Sequence, residues 1–143
     1  ARACYKRLDA LGNEQLVHEL ASAPNDIAKQ INLYAVMRYN RLVWEFMIQV
    51  IGEKYRNQDM NFSRKDMNAF FSRLQAQDDS VAAWSDATIT KIKSVLVRML
   101  IETGYLDGPK DTTLNPVFLC EELERGIEAN NDYDALSAFN YFG

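Results

Sequence analysis

The sequence predicts an all-α protein, a compact helical bundle with at most one small β-hairpin. Apolar side chains recur every three or four residues along most of the chain, as on the buried face of an amphipathic helix. Gly, Pro, Asn and Ser stand at the ends of these stretches, where helices are capped or broken. Strand-like alternation is confined to the pieces that flank Asp107-Gly108.

The most complete helix signal predicts a helix over residues 86–103. Ser85 stands at the N-cap position, and Asp86 places negative charge at the positive end of the helix dipole. Trp84 and Ile89 have the spacing of a hydrophobic staple, and Gly104 suits a left-handed residue after the last turn. The apolar positions expected to face the core are Ile89, Ile92, Val95, Leu96, Met99 and Leu100.

The N-terminal third of the chain predicts further helices. Two short ones are expected over residues 1–11 and 14–23, ended by Gly12 and Pro24. Apolar stripes then continue from Ile27 to Tyr55, either as one bent helix or as two helices separated near Tyr39-Asn40.

A helix over residues 63–76 should begin in the same way as the helix after Ser85. Ser63 is the predicted cap, Asp66 stands at the third helical position, and Phe62 and Met67 occupy staple positions. An eight-residue connection, 77–84, links this helix to the next one.

Beyond residue 104 the pattern predicts a turn at Asp107-Gly108-Pro109 between two short extended pieces, which makes a small hairpin over 105–114. A helix follows over 117–128, and a short aromatic element follows over 132–142.

These elements predict a single helical domain over residues 1–143. It comprises an N-terminal helical lobe at 1–62, a central unit at 63–115 and acidic C-terminal helices at 116–143. The helical spacing predicts one core that contains Val43, Phe46, Met47, Val50, Met67, Phe70, Phe71, Ile92, Val95, Leu96 and Met99.

The net charge of −4 is unevenly distributed. Residues 63–110 hold seven Lys and Arg against six Asp and Glu, whereas residues 111–143 hold one against seven. The centre of the chain can therefore present a basic face although the whole chain is acidic. The low overall pI argues against strong non-specific DNA binding.

Composition excludes several classes of protein. With two distant cysteines, Cys4 and Cys120, and a single histidine, His18, we expect neither a zinc site nor any other metal or cofactor. No apolar run approaches the roughly 20 residues that span a bilayer, and no signal peptide precedes the first helix. A reduced cytoplasmic protein without membrane contact is the expectation.

Enzyme signatures are absent from the sequence. It contains no GxSxG elbow, P-loop, HExxH or other phosphate-binding Gly-rich loop. His18 is interpreted as a structural residue, and Glu121, Glu122 and Glu124 as a solvated helix face. We expect no enzymatic activity and no small-molecule substrate.

The order helix, connection, helix, hairpin is that of a winged helix-turn-helix unit. In that unit the second helix enters the major groove and the wing contacts phosphate, which requires cations and small hydroxyls. Two features oppose this interpretation: the connection exceeds the usual three or four residues, and it carries Asp78-Asp79. The candidate DNA-binding residues are Arg64, Lys65, Thr88, Thr90, Lys91, Lys93, Arg98 and Lys110.

Several motifs together resemble one known family. The segment LYAVMRYNRLVWEFMIQVIGEKY covers residues 33–55, and FF stands at 70–71. The pattern W-S-x-x-T-x-x-K-I-K-x-x-L-x-R-M-L-I-E-x-G-Y-L covers 84–106, and LNPVFL covers 114–119. In this order the motifs resemble the BrxA family, a small component of bacterial BREX phage-defence systems. Members of that family are longer at the N-terminus, so this chain is expected to be a fragment.

The resemblance implies a NusB-like, all-helical protein with helix-turn-helix character that binds double-stranded DNA and has no enzymatic activity. It also implies other phage-defence proteins as partners. Thr88, Lys91, Lys93 and Arg98 match the family pattern. Three alternatives remain: a protein–protein interaction module that uses the aromatic and acidic C-terminus, a NusB-like RNA-binding protein, and an enzyme.

Overall fold

The structure, a computed structural model, describes residues 25–110 and 112–142. Every regular element in this part of the chain is helical, which confirms the all-α class. The predicted helices at 1–11 and 14–23, with Cys4 and His18, lie outside the described residues. The described residues divide into two compact units: the first runs to Asp59 and resumes at Pro116, and the second is Met60–Asn115.

The first unit begins with two successive helices. Helix α1 spans Asn25–Tyr39, and a continuous helical run follows from Arg41 to Arg56. The side chain of Asn40 separates them, because its oxygen accepts hydrogen bonds from the backbone N–H groups of Leu42, at 3.0 Å, and Val43. An N-cap side chain of this kind favours a new helix start over one bent helix.

The second helical run changes its hydrogen-bonding pattern in the middle. It consists of α2 (Arg41–Phe46), a π-helical segment (Met47–Gly52) and α3 (Glu53–Arg56). The segment Tyr133–Phe139 is a 3₁₀ helix that packs against the π-helical segment. At this contact Gly52 is buried, and a Cβ atom there would lie 2.5 Å from Ser137 Oγ. Close approach of the two elements therefore requires glycine at position 52.

The acidic helix of the first unit starts later than the sequence predicts. Helix α7 spans Glu121–Ala129, whereas the prediction was 117–128. The side chain of Gln30 explains the difference: its Nε2 donates to the Phe118 carbonyl at 2.7 Å, and its Oε1 accepts from the Cys120 N–H at 3.0 Å. These bonds hold the backbone before Glu121 outside the helix. As a result, Phe118 is 80% exposed and does not join the core.

The second unit contains α4 (Arg64–Gln77), α5 (Asp79–Ala82) and α6 (Asp86–Glu102). Both long helices match their predicted positions, and the capping box at Ser63 is present, with the Asp66 carboxylate accepting from the Ser63 N–H at 2.8 Å. The connection is not irregular, because Asp78 caps the one-turn helix α5 through its bond from the Ser80 N–H at 2.9 Å.

A left-handed residue ends α6 as predicted. Gly104 has φ +87°, and the N–H of Tyr105 donates to the Leu100 carbonyl at 2.8 Å. The described residues after Leu106 form no hairpin. They are held instead by one antiparallel bridge between Asn61 and Thr113 and by a bond from the Asn115 N–H to the Tyr105 carbonyl at 2.8 Å.

Most of the predicted core positions are buried. Val43, Phe46, Met47 and Val50 are buried in the first unit, and Met67, Phe70, Phe71 and Leu96 in the second. Ile92 and Met99 are half-buried. The prediction for Val95 was wrong, since its side chain is 55% exposed. Ile89, Leu96 and Leu100 line the buried side of α6, and Val95 lies about 120° away from them around the axis.

Phe70→Ala tests the core of the second unit. Phe70 is fully buried with its ring 5.5 Å from that of Phe71, so we expect the free energy of unfolding to fall by about 3–5 kcal/mol. Val95→Ala is the matched control and should change it by less than about 0.5 kcal/mol. Urea denaturation followed by circular dichroism measures both. Equal losses for the two variants would contradict the assigned core.

Gly52→Ala tests the close approach to Ser137. Alanine improves helix propensity by up to about 1 kcal/mol, but the added methyl overpacks the contact, so we expect a net loss of about 1–2 kcal/mol. The same substitution in a Ser137→Ala background should be less damaging, because the nearest atom, Ser137 Oγ, is gone. A double-mutant cycle by thermal denaturation checks this, and additive effects would refute the contact.

Candidate nucleic-acid interface

The start of α6 is organised by a hydroxyl cap. Ser85 Oγ accepts a hydrogen bond from the Thr88 N–H at 3.2 Å and lies 3.0 Å from Thr88 Oγ1. The cap satisfies one of the free N–H groups of the first turn and fixes the direction in which the helix leaves the loop. The Thr88 side chain is exposed, so a ligand can reach its hydroxyl. The same hydroxyl is already engaged with Ser85 Oγ in the cap.

One side of α6 carries a line of exposed side chains, which we call the outer stripe: Thr88, Lys91, Val95 and Arg98. At about 100° per residue these four positions lie within one narrow sector of the helix surface. Lys91 and Arg98 are separated by two turns, roughly 10 Å along the axis. All four side chains are exposed, including the apolar Val95. Glu102, the last residue of α6, follows Arg98 by four residues and is exposed in the same sector. This side of the helix therefore presents two cations, a hydroxyl and a methyl surface to solvent, with one carboxylate at its C-terminal end.

Lys93 is oriented differently from Lys91. Its Nζ donates to Asn68 Oδ1 at 2.7 Å and lies 5.6 Å from the centre of the Phe71 ring, both on α4. The side chain is half-buried by this packing. Lys93 follows Ile89 by four residues and precedes Leu96 by three, so its spacing already places it at the edge of the buried face. It ties α6 to α4, and its ammonium is less available for phosphate than that of Lys91.

The other predicted residues occupy exposed positions around the same unit. Arg64 and Lys65 lie in the first turn of α4, and Lys110 lies in the segment after Leu106. Thr90 is exposed on the opposite flank of α6 from Thr88, and its carbonyl accepts from Ser94 Oγ at 3.1 Å. The fold therefore separates the predicted residues into four groups: those of the outer stripe, those at the start of α4, Lys110 in the loop, and Thr90 and Lys93 elsewhere on α6.

The cations of the two units differ in their partners. Within the described part of the chain, no carboxylate forms an ion pair with the cations of the stripe, the α4 start or the loop, namely Lys91, Arg98, Arg64, Lys65 and Lys110. In the first unit, by contrast, four cations are paired with carboxylates at 3.1–3.4 Å: Arg38 with Asp132, Arg41 with Glu45, Lys54 with Asp59, and Arg56 with Glu53.

One of those pairs belongs to a larger polar network. The Tyr34 hydroxyl donates to Asp132 Oδ2 and accepts from Asn130 Nδ2 at 3.0 Å, while Arg38 Nε lies 3.4 Å from the same carboxylate oxygen. Burial and the bond to Asp132 raise the pKa of Tyr34 well above its usual value. The phenol therefore stays protonated and serves as a structural donor.

Two acidic side chains of the second unit have structural roles. Asp78 caps α5, and the hydroxyl and N–H of Ser80 hold the pKa of the Asp78 carboxyl below its usual value. Asp86 stands in the first turn of α6, where the helix dipole favours negative charge. These carboxylates reduce the basic field around the stripe and limit the affinity that its cations can supply.

The described residues contain no cluster of three or more His, Cys, Asp or Glu side chains arranged to hold a metal ion. Burial raises the pKa of the thiol of Cys120, which is half-buried and forms no disulfide with any of the residues that the structure describes. None of the described helices combines the length and the apolar character required to cross a bilayer.

Comparison with known proteins identifies the family. Relatives from Bacillus cereus, Paramagnetospirillum magneticum and Escherichia coli are each named BREX protein BrxA. The chain is 37% identical to the first over 110 residues, 24% to the second over 126 and 26% to the third over 109. The matches cover 77%, 88% and 76% of this chain but only 54%, 63% and 51% of the relatives, so the chain spans little more than half of their length.

A solved structure has the same fold. The crystal structure of an uncharacterized protein from Magnetospirillum magneticum superposes with a TM-score of 0.82 at 21% identity. The superposition covers 94% of this chain and 70% of that one. The BrxA family profile matches residues 1–131. With most of its length matched and a relative at 37% identity, the chain belongs to the BrxA family.

Proposed function

We propose that this chain is a non-enzymatic, double-stranded DNA-binding accessory protein of a bacterial BREX phage-defence system, and that it binds DNA through the outer stripe of α6. The observation that carries the proposal is the pair Lys91 and Arg98. Both are exposed on one face of one capped helix, without an ion-pair partner among the described carboxylates. Cations that are not neutralised in this way are available to replace the counterions of DNA phosphates.

The arrangement of the second unit supports a helix-turn-helix type of docking. Helix α4 packs with α5, and Lys93 connects α4 to α6, so the stripe is presented by a braced helix. Arg64 and Lys65 at the start of α4 add positive charge where the helix dipole is also positive. Phosphate contacts of this kind position a protein on DNA without reading the sequence.

Base recognition by the stripe should be weak. Thr88 is engaged in the helix cap, and the outer stripe carries no Asn or Gln that would pair with adenine. Val95 offers an apolar surface of the type that contacts the thymine methyl group. We therefore propose mostly electrostatic binding in which other proteins of the defence system supply specificity. The names of the relatives support membership of such a system.

A second candidate function is protein–protein interaction within the same system. Three large side chains in the C-terminal part of the first unit are exposed: Phe118 by 80%, Tyr133 by 58% and Phe142 by 49%. Exposed aromatic residues are enriched at protein interfaces. This function is compatible with DNA binding because the two sets of residues belong to different units.

The double substitution Lys91→Ala and Arg98→Ala tests the proposal. If both cations contact phosphates, affinity for duplex DNA should fall on every sequence alike, and the slope of log K against log salt should flatten by roughly two units. Fluorescence anisotropy at several salt concentrations measures both quantities. Lys29→Ala with Arg125→Ala is the matched control, because it removes the same charge from exposed positions of the other unit.

Two results would contradict the assignment. Equal slopes for the Lys91/Arg98 variant and the parent chain would show that another surface carries the DNA. Absence of affinity for any duplex DNA at low salt would leave protein interaction as the better candidate. A duplex RNA of the same sequence is a further probe. Tighter binding to this RNA than to the duplex DNA would favour the NusB-like RNA-binding alternative.

A further inference from the structure

A groove in the first unit combines exposed aromatic and cationic side chains. We call it the Tyr39 groove; it has a volume of about 250 Å³ and is lined by Met37, Arg38, Tyr39, Arg41 and Trp44. It belongs to a different unit from the outer stripe of α6. Nothing in the proposed duplex binding uses these residues.

The helix break at Asn40 creates this groove. Tyr39 is the last residue of α1, and Arg41 is the first residue of α2. Because the Asn40 side chain caps α2, the two helices meet at a corner instead of continuing along one axis. Tyr39 is left 49% exposed at this corner, and Trp44 is half-buried one turn into α2.

The charges in the groove favour an anionic ligand. Both charged residues that line it are arginines. Arg41 has a side chain 87% exposed, and its partner is Glu45 four residues along the same helix, at 3.1 Å. An i,i+4 pair at a helix surface contributes little free energy, so a phosphate group can compete with Glu45 for Arg41. Arg38 is committed to Asp132 and lies 5.9 Å from the Tyr34 ring.

A second groove in the same unit also combines rings with charges, but its charged residues are different. It is lined by the rings of Tyr133, Tyr141 and Phe142 and by two carboxylates, Glu53 and Asp134, beside one cation, Arg56. Arg56 stacks over the Phe142 ring at 5.3 Å and pairs with Glu53. The two carboxylates would repel a phosphate ligand there, whereas the charged residues that line the Tyr39 groove are both arginines.

We propose that the Tyr39 groove binds an unpaired nucleobase of a single-stranded nucleic acid, with the base against Tyr39 and Trp44 and its phosphate against Arg41. Single-strand binding sites combine aromatic rings that stack on bases with cations that follow the backbone. The volume lies just below the roughly 300–1,000 Å³ of sites that enclose a drug-sized molecule, which suits one flat base better than a larger ligand.

Tryptophan fluorescence tests this proposal directly. The chain has two tryptophans, and Trp84→Phe leaves Trp44 as the reporter. Oligothymidylate should quench Trp44 on binding. Tyr39→Ala should weaken the binding about 5- to 150-fold, the range for loss of one base–aromatic stack. Tyr39→Phe, which keeps the ring and loses the hydroxyl, should bind as the parent does. Because Tyr39 is half exposed, its replacement should leave the fold intact.

Further variants separate this site from the outer stripe. Arg41→Ala should flatten the salt dependence of oligothymidylate binding by about 0.7 units, the value for one phosphate of a single strand. Quenching of Trp44 reports on the groove, so oligomer that is bound only through Lys91 and Arg98 would leave Trp44 fluorescence unchanged. Oligouridylate provides the RNA arm. A loss of affinity in Tyr39→Ala on either oligomer supports the proposal, and the preferred oligomer identifies the strand.

Several outcomes would overturn the assignment. One is the absence of Trp44 quenching and of affinity for both oligomers at low salt. Another is binding by Tyr39→Ala that is as tight as in the parent chain. Equal losses for Tyr39→Phe and Tyr39→Ala would exclude stacking, since the ring would then contribute nothing. None of these results bears on duplex binding by Lys91 and Arg98, so the two proposals fail independently.

Discussion

Burial of Ile89, Leu96 and Leu100 sets the rotation of α6 about its axis, and the rest of the second unit depends on that rotation. An amphipathic helix in water orients so that its largest apolar stripe is removed from solvent. Once these three side chains are buried, Lys91 and Arg98 must point outward, and Lys93 must lie at the edge of the packed face. The same rotation exposes Val95. The candidate interface is thus a consequence of packing on the opposite side of the helix.

The two units differ in how their cations are paired with carboxylates. Several arginines and lysines of the first unit are paired with carboxylates, as in Arg38–Asp132 and Lys54–Asp59. Each of these pairs neutralises the local field of its cation. In the second unit the exposed cations of α6 have no such neighbours among the described carboxylates. In the proposed function this contrast is the reason why duplex DNA contacts α6 and not the first unit. Among the paired cations of the first unit, Arg41 has the most exposed side chain.

Local helix signals were predictable from the sequence because they depend on neighbours a few residues away. The caps at Ser63 and Ser85 and the left-handed Gly104 all formed as expected. The start of α7 was not predictable, since Gln30, remote in sequence, holds the backbone at Phe118 and Cys120. The candidate site also has features that the sequence predicted and features that it did not. The spacing of Lys91 and Arg98 indicated an exposed face, but the engagement of Lys93 with Asn68 required the partner helix.

The sequence by itself determined the all-α class and the ends of α4 and α6, because hydrophobic period and capping chemistry are local properties of the chain. The family followed from the resemblance of its motifs, such as the pattern at 84–106. Tertiary structure decided which cations are available to a ligand, whether Val95 is buried, and where Tyr39, Arg41 and Trp44 form a groove. Each of these depends on distances between residues that belong to different helices. Such distances follow from the packing of whole elements, which no pattern within a single helix contains.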